Sequence, residues 1–480
     1  MNAIQGMDGR WIEEEMVSAD FGDLRLNKRF HILASELAAR PSEPINQAST
    51  DWAATKAAYR FFDNPKVKPE QILEPHFLST QLRAQNQRRL IVVQDTTLLD
   101  FSRHHKTTGL GSIGKLEDGF EPQGFFLHCA LALTEKGLPL GLLHHQIRVR
   151  QGIKEKDSHL LSLMPIEKKE SFKWINGLRQ IIQNTPDREV VMVCDREADI
   201  YEFLEESLTS GVDFVVRVMH PRMLEDEEFG DLNVFDRIAI EKVQSKIKIE
   251  MPGSGKRSSR EALLSVKFLP VTYSARPRGI KTKQVAHRSH LELFIVHLFE
   301  EAPPTGESAI HWTLVTSLNI TQVEEALEVV RVYKMRWQVE LYFKTLKTGC
   351  GVQDCRLGSA EKLIRFITLQ SIIAWRILWM TFINRVEPNI TCESILTEDE
   401  WKALWFKKNR RQIQSGKIKA VPPDKPPSAY EAIRWIAMQG GFLGRKGDKE
   451  PGQITIWRGW LRLMDAVEIY EVLKEKPTPR

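Results

Sequence analysis

Two short runs of aliphatic and β-branched residues, each stopping at an aspartate, constrain this chain more than any other feature. Leu90-Ile91-Val92-Val93 runs into Gln94-Asp95-Thr96-Thr97, and Val190-Val191-Met192-Val193-Cys194 stops at Asp195. Runs of four or five such residues between polar neighbours read as buried strands. A helix is expected from Phe172 to Gln183 and another from Ile200 to Leu208, the latter leading to a strand at Phe214-Val215-Val216-Arg217. This alternation predicts an α/β domain. In such sheets functional groups project where strands run out, so both aspartates are candidates for chemistry. Either one alone is better explained as a turn or helix cap, and it is the pair that raises the case for chemistry.

The flanks have a different texture. Trp11, Val17, Phe21, Leu24, Leu26 and Phe30 mark apolar positions of a helical N-terminal region. A second amphipathic stretch, Gln47 to Asn64, holds Trp52, Tyr59, Phe61 and Phe62. Arg25, Lys28, Arg29, Lys56 and Arg60 are interleaved with them, a pattern shared by DNA-docking helical domains and plain packing units. Gly124–Leu133 and Leu138–Val149 read as a hairpin around Glu135-Lys136-Gly137. From about 220 to 318 the pattern turns β-rich, with strands expected near 238–249, 262–271, 291–299 and 312–316, and a turn-rich segment at Gly253–Arg260. Helices resume at Val323 and continue past Lys347 with a short break at most; a last helical region spans Trp457 to Lys476.

Composition narrows the class. At 480 residues and 42% hydrophobic content the chain can bury two or three cores. The most apolar stretch, Leu363 to Ile383, contains Arg365, Gln370 and Arg376, so a buried helix is expected rather than a membrane span. No membrane partner is expected. Met1 is followed by a mixed polar stretch, not a secretory signal pattern. Cys129, Cys194, Cys350, Cys355 and Cys392 form no CxxC pair, which suits reduced cytoplasmic thiols. Adjacent His104-His105 and His144-His145 lack the spacing of a helical zinc site. Between Trp401 and Glu450 there are 12 Lys/Arg against 4 Asp/Glu. Such a run serves as a solvated linker or as a contact to phosphate backbone.

A third element adds chemistry. On one predicted helix Tyr333, Arg336, Glu340 and Lys347 fall at about 0°, 300°, 340° and 320°, within an arc of about 60°. Trp337, Leu341, Phe343 and Leu346 surround that polar stripe, so the helix is expected to be buried on most sides. Carboxylates from remote segments, beside an arginine fork and a lysine point charge, suit metal-assisted phosphoryl transfer.

Tyr-x2-Arg-x3-Glu-x6-Lys around Glu340 resembles the Y-R-E-K signature of the DDE transposases of bacterial insertion sequences. Gln94-Asp95-Thr96-Thr97 and Val193-Cys194-Asp195-Arg196-Glu197-Ala198-Asp199 resemble that family's other acidic motifs. The similarity runs along the full chain, including Ala58-Tyr59-Arg60-Phe61 near the start and Gly440-Gly441-Phe442 near the end. It implies a multidomain α/β protein: an RNase H-like catalytic core at 71–385 with a β-rich insertion at about 220–318. A helical DNA-end-binding domain at 1–70 and a basic linker with a helical dimerisation domain at 386–480 flank it.

By the same resemblance Asp95, Asp195 and Glu340 bind two Mg²⁺ ions, for which Mn²⁺ can substitute. Tyr333, Arg336 and Lys347 hold DNA phosphate, Arg217 approaches the transferred end, and Trp312 receives a flipped base. From the residues alone, Trp312 is as well read as β-core packing and Arg217 as a structural ion pair. Arg196, Glu197 and Asp199 are placed to orient the neighbouring site, but helix-start capping is the better reading of them. The implied partners are double-stranded DNA, as terminal inverted repeats and target, and a second copy of the chain. The implied location is the cytoplasm, on the nucleoid. The implied reaction is end cleavage through a hairpin, then 3′-hydroxyl strand transfer. A nuclease without strand transfer and a non-enzymatic DNA-binding relative, such as a transposition inhibitor, are the alternatives.

Overall fold

The computed structural model describes residues 10–150, 164–225, 230, 232–251, 260–273 and 290–474. In chain order the first helices are α1 (Trp11–Glu15), α2 (Leu24–Ala39), α3 (Ile45–Ala48), α4 (Trp52–Asp63) and α5 (Pro69–Ala84). Strands β1 (Arg89–Asp100), β2 (Gly111–Ser112), β3 (Gln123–Thr134) and β4 (Pro139–Arg148) follow. Next come α6 (Phe172–Asn184), β5 (Glu189–Cys194), α7 (Tyr201–Thr209), β6 (Asp213–Arg217) and α8 (Val234–Ile240). Then come β7 (Ser245–Met251), β8 (Arg260–Tyr273), β9 (Leu291–Glu300) and β10 (His311–Thr316). The remaining helices are α9 (Val323–Lys334), α10 (Trp337–Lys344), α11 (Ala360–Val386), α12 (Glu398–Gln414), α13 (Ala429–Gln439) and α14 (Gln453–Lys474). The chain divides into two compact units, residues 1–88, 96–154 and 338–480 in one, 89–95 and 155–337 in the other.

The second unit is built on a sheet. The first residues of β1 pair in parallel with β5, Leu90 to Gln94 against Val190 to Cys194, and β5 pairs in parallel with β6. From β6 the sheet continues antiparallel through β10, β9, β8 and β7. Val190–Cys194 are all buried, as a strand covered on both faces requires. Asp95 does not mark the end of its strand, as the sequence suggested: β1 continues to Asp100, because Thr-Thr-Leu-Leu is itself a good strand former. What ends at Gln94 is the register with β5. Ile238-Ala239-Ile240, expected as strand, belongs to α8. Asn233 caps that helix by accepting from the Phe235 and Asp236 N–H groups, and Val234 and Ile238 bury one face at i, i+4. The expected turns at 253–259 lie outside the described residues.

The first unit is mainly helical, with the β3–β4 hairpin joined at Glu135-Lys136-Gly137 as expected. In α2 the buried set Phe30, Leu33, Ala34, Leu37 and Ala38 follows the i, i+3, i+4, i+7, i+8 stripe. Leu24, six residues before Phe30, points about 120° away and is 86% exposed, and Val17 beyond the end of α1 is 77% exposed. These two apolar positions, with exposed Trp52, face outward. At the centre stands α11, whose apolar window is 94% buried inside the protein. Arg365 donates to the carbonyls of Val67 and Phe62, Gln370 to Pro41, and Arg376 to Ile395. The polar residues that argued against a membrane span are thus tethers to neighbouring segments. The basic stretch begins as helix rather than linker: α12 is capped by Thr397 and packs on α14, with Lys408 over the Trp435 ring. The five cysteines are free thiols.

Candidate active site

In the sheet unit the register sets the geometry. With Gln94 opposite Cys194 on strands about 4.8 Å apart, the next residues are Asp95, still within β1, and Asp195, just past the end of β5. Burial pushes the Cys194 thiol well up, and both neighbouring carboxylates add to the effect. Asp95 is held by Arg336, Nη1 to Oδ2 at 3.0 Å, with both side chains largely buried. Asp195 caps the turn that follows β5, its Oδ1 accepting the Glu197 N–H at 2.8 Å. Burial raises the Asp195 carboxyl above its usual range, and that N–H pulls it part of the way back.

The helix that follows the sheet delivers the next groups. α9 packs on β5, β6 and β9 and ends just past Tyr333, where Met335 and Arg336 form a turn. Tyr333 is buried, which raises its phenol, while the neighbouring Arg336 and Arg217 pull it part of the way back. Arg217 sits opposite Leu314 on β10, so Trp312, two residues earlier, projects to the same face. The half-buried Trp312 ring meets Tyr333 edge-on at 5.6 Å, and Arg217 donates to the His311 carbonyl at 3.1 Å. One face of this unit therefore gathers Asp95, Asp195, Arg217, Trp312, Tyr333 and Arg336.

Glu340 and Lys347 are counted with the helical unit. Glu340 is half-buried on α10, and Lys347 lies in a π-helical turn, Thr345–Gly349, where burial lowers its ammonium. The single straight helix assumed for the Tyr-Arg-Glu-Lys spacing is not what forms. The turn at 335–336 and the wider π turn each reset the azimuth, because i→i+5 bonding does not advance at 100° per residue. Phe343 and Leu346 are buried as expected, but Trp337 is 57% exposed. In the N-terminal region Arg25, Lys28, Lys56 and Arg60 are exposed and Arg29 is half-buried; Lys56 lies over the Trp52 ring at 5.2 Å.

Two features were not read from the sequence. Asp199 is no cap: it accepts from the N–H groups of Met219 and His220 and from Arg222, fixing the segment after β6. Lys173, on α6, forms an ion pair with Glu197 at 3.1 Å. These partners are 20 to 24 residues apart, beyond any helical or strand periodicity, so no local spacing signals them.

Among the described residues no three His, Cys, Asp or Glu side chains are grouped to hold a metal ion. Asp95 and Asp195 nevertheless fit magnesium chemically, since they present hard carboxylate oxygens from adjoining strands. Magnesium commonly takes one or two carboxylates and fills its shell with water and phosphate.

The class of protein comes from the family comparisons. Residues 8–67 match the transposase DNA-binding family, 173–376 the transposase DDE domain and 372–471 the transposase Tn5 dimerisation domain. In that order the three matches support a DNA transposase of the DDE kind. Asp195, Arg336 and Glu340 fall inside the DDE match and Asp95 before it. A solved structure, the piggyBac transposase synaptic complex with hairpin DNA, is similar over 97% of this chain and 74% of its own. At 11% identity and a TM-score of 0.33 that likeness carries no inference.

Proposed function

We propose that this chain is an insertion-sequence transposase of the Y-R-E-K type, cutting its element's ends through a hairpin and joining the 3′ ends to target DNA. The observation that carries the reading is the parallel register that ends at Gln94 opposite Cys194, immediately before Asp95 and Asp195, with Arg336 on Asp95 and Tyr333 nearby. The core is RNase H-like, and it spans about 71–385. Asp95 and Asp195, with Glu340, would hold two Mg²⁺ ions, Mn²⁺ being able to replace them; bound there, such ions activate an attacking oxygen and stabilise the leaving one.

The protein's own groups do the positioning. Arg336 presents a planar fork to nonbridging phosphate oxygens, Lys347 adds a point charge, and Tyr333 donates its hydroxyl. Arg217 approaches the strand being transferred, while Trp312 takes up a base displaced as the hairpin closes. Water attacks phosphorus as the 3′ oxygen leaves. The freed 3′-hydroxyl attacks the opposite strand, a second water opens the hairpin, and each 3′ end then displaces an oxygen in target DNA. Residues 1–70 bind the terminal inverted repeats, with Arg25, Lys28, Arg29, Lys56 and Arg60 on phosphate. Residues 386–480 pair two copies. The open apolar groove of Ala403, Phe406, Ile469 and Leu473 between α12 and α14 suits such pairing. The working location is the cytoplasm, on the nucleoid.

Asp95→Ala tests the reading on a duplex bearing the inverted repeats that flank the coding sequence. Mg²⁺-dependent cleavage should disappear while end binding persists in a mobility-shift assay. Normal cleavage by this variant would refute the assignment, and cleavage without 3′-end joining by the wild type would leave a plain nuclease.

A further inference from the structure

Lys173 and Glu197 stand beside the acidic corner and have no part in the chemistry above. Lys173 lies in the first turn of α6, where a cation meets the positive end of the helix dipole. Its side chain is 8% exposed, and an ammonium so buried is costly unless paired. Its partner is Glu197, Nζ to Oε2 at 3.1 Å. Glu197 is in turn bound to Asp195, through its own N–H.

The cations are therefore shared out one to each flanking carboxylate, Arg336 to Asp95 and Lys173 to Glu197. Among the described residues Asp195 accepts the Glu197 N–H and forms no ion pair, which leaves its oxygens with spare acceptor capacity. Glu197 is two positions away and 58% exposed, so without Lys173 it would be an additional hard anionic ligand within reach of any ion at Asp195.

We infer that Lys173 is a positioning residue that withholds Glu197 from the metal centre, so that the ion is held at Asp95 and Asp195 alone on this side. The inference rests on the assignment of Asp195 as a metal ligand. Its test is Mn²⁺ binding to the full-length protein, followed by electron paramagnetic resonance, beside cleavage of the inverted-repeat duplex. Lys173→Met should bind Mn²⁺ about five-fold more tightly, since it loses a cation and frees a carboxylate. It should nevertheless cleave about ten-fold more slowly, because the ion is drawn from its productive position. Adding Glu197→Gln should bring both quantities back toward wild type, and Lys173→Arg should keep them there. A merely structural lysine would give a lowered melting temperature that Glu197→Gln does not repair. Unchanged Mn²⁺ affinity in Lys173→Met, or a cleavage defect that survives Glu197→Gln, would overturn the inference. Mn²⁺ binding indifferent to Asp195→Asn in every variant would instead remove the metal-ligand assignment beneath it.

Discussion

Carboxylates and cations meet at two places in this molecule, with opposite results. In the helical unit Glu15, His76 and Arg83 are buried at 3%, 0% and 7% exposure. Both Glu15 oxygens are taken, by a bidentate Arg83 and by His76 Nδ1. Arg83 also donates to the Leu140 carbonyl and lies over the Trp375 ring, while the Leu142 N–H donates to His76 Nε2, which fixes a neutral imidazole. In the sheet unit Asp195 has one backbone N–H, and the nearby cations are committed to its neighbours. The first arrangement has no acceptor to spare and can only hold helices and hairpin together. The second keeps lone pairs for something from outside. Complete pairing marks architecture; incomplete pairing in a half-covered corner marks chemistry.

That contrast can be broken by experiment. The largest expected effect is on cleavage: Asp195→Asn should lower it by about 1,000-fold or more, equivalent to about 4 kcal/mol, while leaving the melting temperature unchanged or raised. Loss of the fold on this substitution would make Asp195 an architectural residue after all. Arg83→Met should do the reverse. It strands a buried carboxylate and should cost roughly 3–5 kcal/mol of stability in denaturant titrations, and a value below about 1 kcal/mol would show the network to be dispensable.

Acid should separate the two regions as well. Burial would raise the Glu15 carboxyl, but Arg83 and His76 overcome it and hold the value down to about 2, against 4.5 unperturbed. A carboxyl depressed on folding contributes stability above its unfolded value and loses it as pH falls through the folded one. His76, lowered by burial, acts in the same direction from 6.5 downward. The helical unit should therefore lose stability progressively as pH falls from about 6.5 toward 2, and Glu15→Gln should flatten the lower part of that profile in circular dichroism. The smallest effect belongs to the exposed N-terminal cations. Lys56→Ala or Arg60→Ala should weaken binding of the inverted repeats several-fold, reduce the slope of log affinity against log salt by about one, and leave melting unchanged.

Much of this was legible in the sequence because it depends on local pattern. The parallel strands β5 and β6, helices α6 and α7 and the β3–β4 hairpin declare themselves by runs, periods and turn residues. The candidate residues Asp95, Asp195, Tyr333, Arg336 and Glu340 stood out by motif. Ile238–Ile240 misled because alternating Ile-Ala-Ile is equally compatible with a short helix once Asn233 caps it. Trp337 misled because a large apolar residue at a helix end is buried only if another element covers it.

The sequence by itself therefore determined which segments are strand and helix over most of the sheet unit, and which acidic and basic side chains deserved notice. Tertiary structure alone decided that Gln94 meets Cys194, that Arg336 grips Asp95, that Lys173 reaches Glu197, and that the Tyr-to-Lys motif is broken by a turn and a π-helical segment. The physical reason is range. Backbone preference and amphipathic period act over a few residues, whereas ion pairing and strand register join distant groups, such as Asp95 and Arg336, 241 positions apart, and only the folded chain brings those within reach.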